Sequence, residues 1–386
     1  MNEHPLQLRD RPAFDDGDRS VRIVDLFAGC GGITLGLAQA AHAAGYGIDI
    51  PLAVDFEPLA TKIYEQNFPF AGRVETAPVE SFFDGDLGAP TTIAEKRTTG
   101  SVGSIDVLVG GPPCQGHSNL NNRTRRVDPK NGLYLRMARA AEVLRPAIVL
   151  IENVPAVVRD RHDGLGVVDR TSGHLESLGY RVEQRVVAFA DLGVAQTRRR
   201  HVLLATAGDQ PEPATILDSL GADEAARDLH WAIGDLSAVD NLGLIDRAPQ
   251  PSPENLKRMR YLLDNHEYDL PNHLRPECHR GDHTYKSMYG RLRWNEPAQT
   301  VTSGFGSIGQ GRYMHPELPR ALTAHEAARI QGFPDYFDFT GCPTKGALAT
   351  MIGNAVPPQL GAALLSTVLA LGGLHAAREA AEPRSA

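Results

Sequence analysis

Short apolar runs alternate with helical periods along the first two hundred residues. Residues 21–27, 51–57, 105–109 and 147–151 have the length and β-branched content of buried strands. Between them, Ile33, Leu35, Leu37 and Ala38 open a helix that ends near Gly45, and Pro58 opens another through Ala60, Ile63, Tyr64 and Asn67. Leu133, Met137, Ala140, Ala141 and Leu144 repeat at helical spacing until Pro146 stops them. Strand and helix in alternation predict an α/β fold that presents functional groups at the carboxyl ends of its strands. Residues 181–190 and 201–206 predict two paired strands, and an apolar helix over 360–371 follows near the chain's end. The polar first twenty residues predict a flexible arm, residues 85–104 a surface connection, and residues from 378 a frayed tail.

Each apolar run ends in polar chemistry. The first enters Ala28-Gly29-Cys30-Gly31-Gly32, where glycines let backbone approach a ligand ahead of a helix N-terminus. The pattern is not GxGxxG, so a plain tight turn stands beside cofactor binding. The second run ends in Asp55, where a ribose diol is gripped in nucleotide folds, and this favours the cofactor reading. Phe56 beside it either lies flat on an adenine or belongs to the core. The third run enters GGPPCQGHS, residues 110–118, in which two glycines release the backbone and two prolines stiffen it. Cys114 is thereby presented at a strand's carboxyl end. A nucleophilic cysteine needs a partner that favours the thiolate or takes up charge from the substrate; a small buried residue is the alternative. The fourth run ends in Glu152-Asn153-Val154-Pro155. A carboxyl half surrounded by apolar groups there is expected to keep its proton and donate a hydrogen bond, against a structural pair with an arginine. Residues 119–132, with Arg123, Arg125, Arg126 and Lys130, predict a lid over an anionic substrate, against a solvated loop. In Gln196-Thr197-Arg198-Arg199-Arg200, alternation puts Arg198 and Arg200 on one face and leaves Arg199 solvated on the other.

At 386 residues the chain has room for one large core and a smaller second domain. No apolar stretch approaches membrane-spanning length, and the start lacks a signal peptide's apolar core. Four scattered cysteines, Cys30, Cys114, Cys278 and Cys342, predict reduced thiols in a cytoplasmic protein. The net charge of −8 argues against an all-over nucleic-acid coat but leaves room for a local basic cleft. Asp and Glu crowd residues 209–246, which predicts a domain boundary or an irregular insertion. His266, His273, Cys278, His279 and His283 fit no standard zinc spacing, so polar loop contacts are expected there and no metal.

DLFAGCGG, VDFE, GGPPCQGHS, ENVP, QTRRRH, the RWNEPAQTVT to RIQGFP stretch and GNAVPP occur in the order seen in DNA cytosine-5 methyltransferases, which the chain resembles over residues 21–206 and 286–372. The resemblance implies a Rossmann-like S-adenosylmethionine-dependent methyltransferase sheet with helices on both faces, plus a small irregular target-recognition domain. It sets expected bounds: an arm over 1–20, a catalytic domain over 21–206, target recognition over 207–335, a return to the catalytic domain over 336–375 and a tail over 376–386. It implies that Cys114 adds to carbon 6 of a flipped-out cytosine in duplex DNA, making carbon 5 nucleophilic. Glu152 would then donate to nitrogen 3 and the exocyclic amine, while Arg198 and Arg200 grip the carbonyl oxygen. Phe27, Ala28, Gly29, Gly31, Gly32, Asp55, Phe56, Pro113, Asn354 and Val356 would line the S-adenosylmethionine pocket, with S-adenosylhomocysteine as product. Gln115, Ser118, Arg123, Arg125, Arg126, Gln196 and Arg280 would meet the DNA. A monomer is expected, working either with a cognate restriction endonuclease that acts separately or as an orphan methylase. The alternatives are tRNA methylation, whose Cys-Phe-Thr signature is absent from residues 206–290, and an inactive DNA-binding homologue, against which the intact catalytic set argues. Three departures stand out. Pro78 occupies the place of an adenine-binding Asp, which leaves the backbone of Ala77 or Val79 to substitute. His117 replaces a common Phe. The acidic 209–246 region should be kept off DNA by phosphate repulsion, which leaves contacts to residues 247–286 and the lid.

Overall fold

A computed structural model describes residues 4–113, 132–222, 224–236, 243–280 and 287–374. The chain forms two compact units. The larger comprises Pro12–Ala188, Arg199–Asp223 and Pro358–Ala386; the smaller comprises Met1–Arg11, Phe189–Arg198 and Glu224–Pro357. These bounds differ from those expected at 206/207 and 335/336.

The larger unit is built on seven strands: β1 Ser20–Leu26, β2 Gly47–Asp55, β3 Val74–Thr76, β4 Val107–Gly110, β5 Ile148–Asn153, β6 Arg181–Ala188 and β7 Arg199–Thr206. Their order across the sheet is β3-β2-β1-β4-β5-β7-β6. The first five run parallel, and β7 lies antiparallel to both β5 and β6. Ile23, Val24, Leu26, Leu108, Val109, Val149 and Ile151 are almost wholly buried. Continuous apolar runs of this kind are what a parallel strand covered on both faces requires. Strand order reverses between β1 and β4, which is where ligands bind on such a sheet.

Helices α1 Gly32–Ala43, α2 Pro58–Asn67, α3 Ile93–Val102, α4 Gly132–Leu144, α5 Val167–Ser177 and α6 Pro213–Ser219 complete most of this unit. Helix α3 falls where only a surface connection was expected. Thr92 accepts from Glu95 N–H while the Glu95 carboxylate accepts from Thr92 N–H, a reciprocal cap that compensates for a weakly apolar helix. The other carboxylate oxygen reaches the Arg139 Nε of α4 at 2.7 Å, and both side chains are fully buried. Removing one partner of such a pair typically costs about 3–5 kcal/mol, so this contact pins α3 to α4. The last helix, Gln359–Ala370, packs on α1 at facing glycines. A Cβ at Gly36 would overlap the Pro358 carbonyl oxygen, and one at Gly361 would overlap that of Ile33.

The first residues are not a free arm. Phe14 is buried and its carbonyl accepts from Ile48 N–H; in the smaller unit Leu6 is buried and its carbonyl accepts from Asp335 N–H. Two apolar residues are enough to anchor an otherwise polar segment.

The smaller unit contains α7 Leu229–Ile233, α8 Pro253–Asp264, α9 Ala324–Ile330 and α10 Lys345–Asn354. Met259, Leu262, Leu270, Tyr289, Ile308, Met314 and Ala321 form a small core there. Isolated bridges, such as Gln196 to Ala298 and Met314 to Ala321, stand in for long strands among its described residues. His325 sits between Asp246 at 2.7 Å and Asp335 at 2.8 Å, and the buried Arg329 grips Asp335 and Asp235. The acid-rich stretch is therefore engaged in part internally. Glu212 and Asp218 pair with Arg181 and Arg185 of β6, Asp228 caps α7, and Asp235 and Asp246 hold Arg329 and His325. Part of that acidic composition thus serves ion pairing and capping within the fold.

Two buried histidines predict acid sensitivity. The His315 Nδ1 accepts from the Glu317 and Leu318 N–H groups, and burial pushes its pKa down to about 4. Burial does the same to His201 on β7. Unfolding lets both regain a proton below about pH 6.5, so their contribution to stability is lost as pH falls from 6.5 to 4. Asp25 opposes them. Burial raises its pKa to about 7, so its contribution falls as pH rises from about 4 to 7. Asn at position 315 keeps an acceptor and removes the titration. His315→Asn should flatten the fall in melting temperature between pH 6.5 and 4; an unchanged slope would remove His315 from this role.

Candidate active site

At the end of β1 the backbone turns through Phe27, Gly29 and Gly31, with φ of 57°, 55° and 90°. A Cβ at Gly31 would overlap the Phe68 ring, whereas a Cβ at Gly29 would meet nothing within 4 Å. The first glycine lets the helix pack; the second leaves open space beside the backbone. Asp55 ties β2 to this turn, one carboxylate oxygen accepting from Gly29 N–H at 2.8 Å and the other from Glu57 N–H at 2.9 Å. A carboxylate has about four lone-pair sites, so acceptors remain for a ribose diol. Burial raises the Asp55 pKa and these hydrogen bonds oppose the rise. Phe56, next along, is 63% exposed, an apolar ring left in water at the ligand-binding edge. Open glycine backbone, free carboxylate lone pairs and an uncovered aromatic face fit the methionine, ribose and adenine parts of S-adenosylmethionine. Ala77 N–H is already engaged by the Asp55 carbonyl, while Val79 heads a short 3₁₀ turn capped by Pro78. An adenine amine donates, so the backbone expected to replace the missing Asp would have to accept through a carbonyl, and that of Val79 already accepts from the Phe82 and Phe83 N–H groups.

Strand β4 ends in Gly110, where a Cβ would come within 2.6 Å of the Leu26 carbonyl oxygen and the Met137 sulfur. Pro112 and Pro113 follow. The Asn153 Nδ2 at the end of β5 donates to the Pro112 carbonyl at 2.9 Å, while its Oδ1 accepts from Val154 N–H. The end of β5 thereby fastens the turn that leads to Cys114. Glu152 pairs with Val202 in the antiparallel ladder, and Arg200, two residues back along β7, shares its face. The Arg200 Nε lies 2.9 Å from the Glu152 Oε1. That oxygen accepts no directed hydrogen bond, so the contact is an ion pair. The arginine pairing set against a donor role for Glu152 is therefore present, and it joins two residues of the expected catalytic set. Tyr134 of α4 adds a buried hydroxyl without a hydrogen-bond partner among the described residues. Burial and the Glu152 charge push its pKa far above the ordinary value.

In the smaller unit Arg198 is buried and donates to the Val301 carbonyl at 3.2 Å. Arg199 is exposed. Gln196 corrects an expectation: it does not face DNA. It is fully buried, donating to the Ile330 carbonyl and Gln331 and accepting from Val301 N–H, so its polarity serves packing. Arg280 is exposed, with its Nε on the Arg275 carbonyl. Asn354 is exposed at the end of α10, and Val356 is half-buried. The larger unit thus brings together Phe27, Ala28, Gly29, Gly31, Gly32, Asp55, Phe56, Pro113, Glu152 and Arg200, while Arg198, Asn354 and Val356 belong to the other. Cys114, Gln115, His117, Ser118, Arg123, Arg125, Arg126 and Lys130, with the expected lid, lie outside the described residues. Asn153, Tyr134 and the buried chain Asp25–Thr34–Tyr64, linked at 2.6 and 2.9 Å, escaped notice in the sequence. Asn153 had a signal in its adjacency to Glu152; Asp25 had one as an acid inside an apolar run.

A sequence model for one family, C-5 cytosine-specific DNA methylase, matches residues 21–370. The chain belongs to that family. The methylase is 42% identical over 364 residues to the Type II methyltransferase M1.BsuMI of Bacillus subtilis strain 168, covering 93% of this chain and 83% of that protein. It is 30% identical over 364 residues to the Type II methylase M.HgiDII of Herpetosiphon aurantiacus, covering 92% and 96%. Its fold is similar to that of a DNA modification methyltransferase encoded within an E. coli prophage, with a TM-score of 0.61 at 22% identity over 91% of this chain and 99% of the other. S. pombe Dnmt2 methyltransferase gives the same TM-score at 17% identity, over 91% and 99%. The methylase transfers a methyl group from S-adenosylmethionine to carbon 5 of cytosine in DNA. No helix among its described residues is long and apolar enough to cross a membrane.

The two turn glycines should separate folding from binding. Gly31→Ala adds overlap to a left-handed backbone and should cost about 3 kcal/mol of stability. Gly29→Ala should cost about 1 kcal/mol, yet weaken cofactor binding by about tenfold or more, because its methyl group enters the open space. Thermal melting and calorimetric titration with S-adenosylmethionine measure both. Parental cofactor affinity in Gly29→Ala would mean that the ligand lies elsewhere.

Proposed function

We propose that this methylase acts through a covalent adduct of Cys114 on a flipped-out cytosine, as the modification enzyme of a Type II restriction system. The observation that carries the site assignment is the end of β5. There Asn153 fastens the turn leading to Cys114 while its neighbour Glu152 pairs with Arg200. One strand end thus ties together the turn of the nucleophile, a carboxyl and a cation.

Carbon 5 of the cytosine ring is too weakly nucleophilic to be methylated directly. The Cys114 thiolate adds to carbon 6, and the resulting enamine is nucleophilic at carbon 5. Glu152 supplies a proton at nitrogen 3, while Arg198 and Arg200 balance charge on the carbonyl oxygen. When bound, S-adenosylmethionine supplies an electrophilic sulfonium methyl group. Nitrogen 3 then returns its proton to Glu152, and loss of the carbon-5 proton to solvent expels Cys114 as the thiolate and restores the ring. Asp55 and Phe56 orient the cofactor through its ribose and adenine. The target atom is out of reach in a stacked duplex, so the base leaves the helix at a cost of about a few kcal/mol. The smaller unit, which contains most of residues 207–335, carries target recognition. The enzyme works as a cytoplasmic monomer beside a separate endonuclease, a reading supported by its Type II bacterial relatives.

Transfer of radiolabelled methyl groups to duplex DNA tests this reading, with label on tRNA as the contrary result. Cys114→Ser should abolish transfer while DNA binding persists; turnover within tenfold of the parent would remove Cys114 from the nucleophile's role. Glu152→Gln keeps a hydrogen-bond donor and loses the transferable proton, so methyl transfer should fall by about 100-fold with cofactor affinity near normal. Lost cofactor binding with normal single-turnover chemistry would contradict the assignment.

A further inference from the structure

The smaller unit contains a cavity of about 250 Å³ whose polar lining is Arg247, Lys345, Ser303, Ser307 and Gln310, with no acidic side chain. Lys345 opens α10, and its Nζ donates to the Ala248 carbonyl at 2.7 Å, holding the loop that carries Arg247. Burial and the Arg247 charge both lower the Lys345 pKa, as expected for two cations near each other without a counter-ion. The adjacent acid, Asp246, is engaged by His325. Arg247 itself has no ion pair or hydrogen bond among the described residues, and the hydroxyls of Ser303 and Ser307 are likewise without partners there. Thr344 caps the Ala347 N–H at the start of α10, and Lys345 and Gly346 of that first turn line the cavity.

Size narrows the ligand. Sites for whole small molecules run to roughly 300–1,000 Å³, so this cavity suits a single anionic group better than a nucleoside. The substrate of this enzyme is a polyanion, whereas the protein carries a net charge of −8. DNA binding therefore depends on local cationic points such as this one.

We propose that the Arg247–Lys345 pocket is a phosphate site that seats one backbone phosphodiester of the substrate DNA. The inference rests on the enzyme acting on DNA, so methyl transfer to duplex DNA by the parent is established first; its absence would sink that reading and not the pocket alone.

Arg247 is the better probe, because Lys345 also secures the fold through Ala248. DNA affinity of Arg247→Gln, measured by fluorescence anisotropy across a salt series, should show a log–log slope shallower by about one unit, with sequence choice unrelaxed. Arg247→Lys keeps the charge and should restore most of the slope. Equal melting temperatures for parent and variants exclude a folding defect. Titration of the parent with inorganic phosphate at constant ionic strength forms the second arm: phosphate should raise the melting temperature of the parent and less that of Arg247→Gln. A parental salt slope in Arg247→Gln overturns the assignment to DNA. That slope together with a phosphate stabilisation of the parent that Arg247→Gln loses makes the pocket a site for free phosphate instead; equal stabilisation of both overturns the pocket altogether.

Discussion

Strands β1, β4 and β5 are covered on both faces, and this burial governs where chemistry can sit. A side chain in the middle of such a strand meets only apolar neighbours, so polar groups collect at the carboxyl ends, where backbone leaves the ladder. Asp55, the Pro112 turn and Glu152 all lie there. The exception is Asp25, inside β1. It survives because the Thr34 hydroxyl donates to it at 2.6 Å and the Tyr64 hydroxyl meets Thr34 in turn. Those two bonds link β1 to α1 and α2 directly beneath the glycine turn, so the one buried acid of the strand stiffens the cradle above it.

That constraint explains what was legible. Continuous apolar runs bounded by glycine, proline and acid read directly as parallel strands with functional ends, and the sheet follows them closely. Helix α3 did not read, because its stability comes from a cap and from Glu95 buried against Arg139, a partner forty-four residues away. Gln196 misled for the opposite reason. Beside three arginines a glutamine suggests nucleic acid, but three buried hydrogen bonds make it a packing hub. Long-range polar pairing leaves no periodic trace in a sequence, so it is the class of contact that pattern reading misses.

Charge distribution carries the same lesson. In the acidic stretch near the middle of the chain, Glu212, Asp218, Asp246 and Asp235 are matched to Arg181, Arg185, His325 and Arg329. Matching of this kind removes their field at a distance comparable to the Debye length, about 8–10 Å at ordinary ionic strength. What DNA senses is the unmatched remainder. Arg247 and Lys345 belong to that remainder although the chain as a whole is acidic.

The Glu152–Arg200 pair has a consequence for how the proposed chemistry begins. Both groups are largely removed from water, and each neutralises the other across 2.9 Å. Separating them without replacement would strand a buried charge, a penalty of about 3–5 kcal/mol. A cytosine edge supplies the replacement: its carbonyl oxygen can take over Arg200, while its nitrogen 3 and amine meet the carboxyl. A base that offers the wrong donors and acceptors leaves one of the two unmatched. In the proposed mechanism Glu152 takes up a proton from solvent as it leaves Arg200 and donates it to nitrogen 3; thymine, which presents a ring N–H there, offers that proton no acceptor. The ion pair can therefore act as a gate on base identity, opening at low cost only for a ring that satisfies both partners at once.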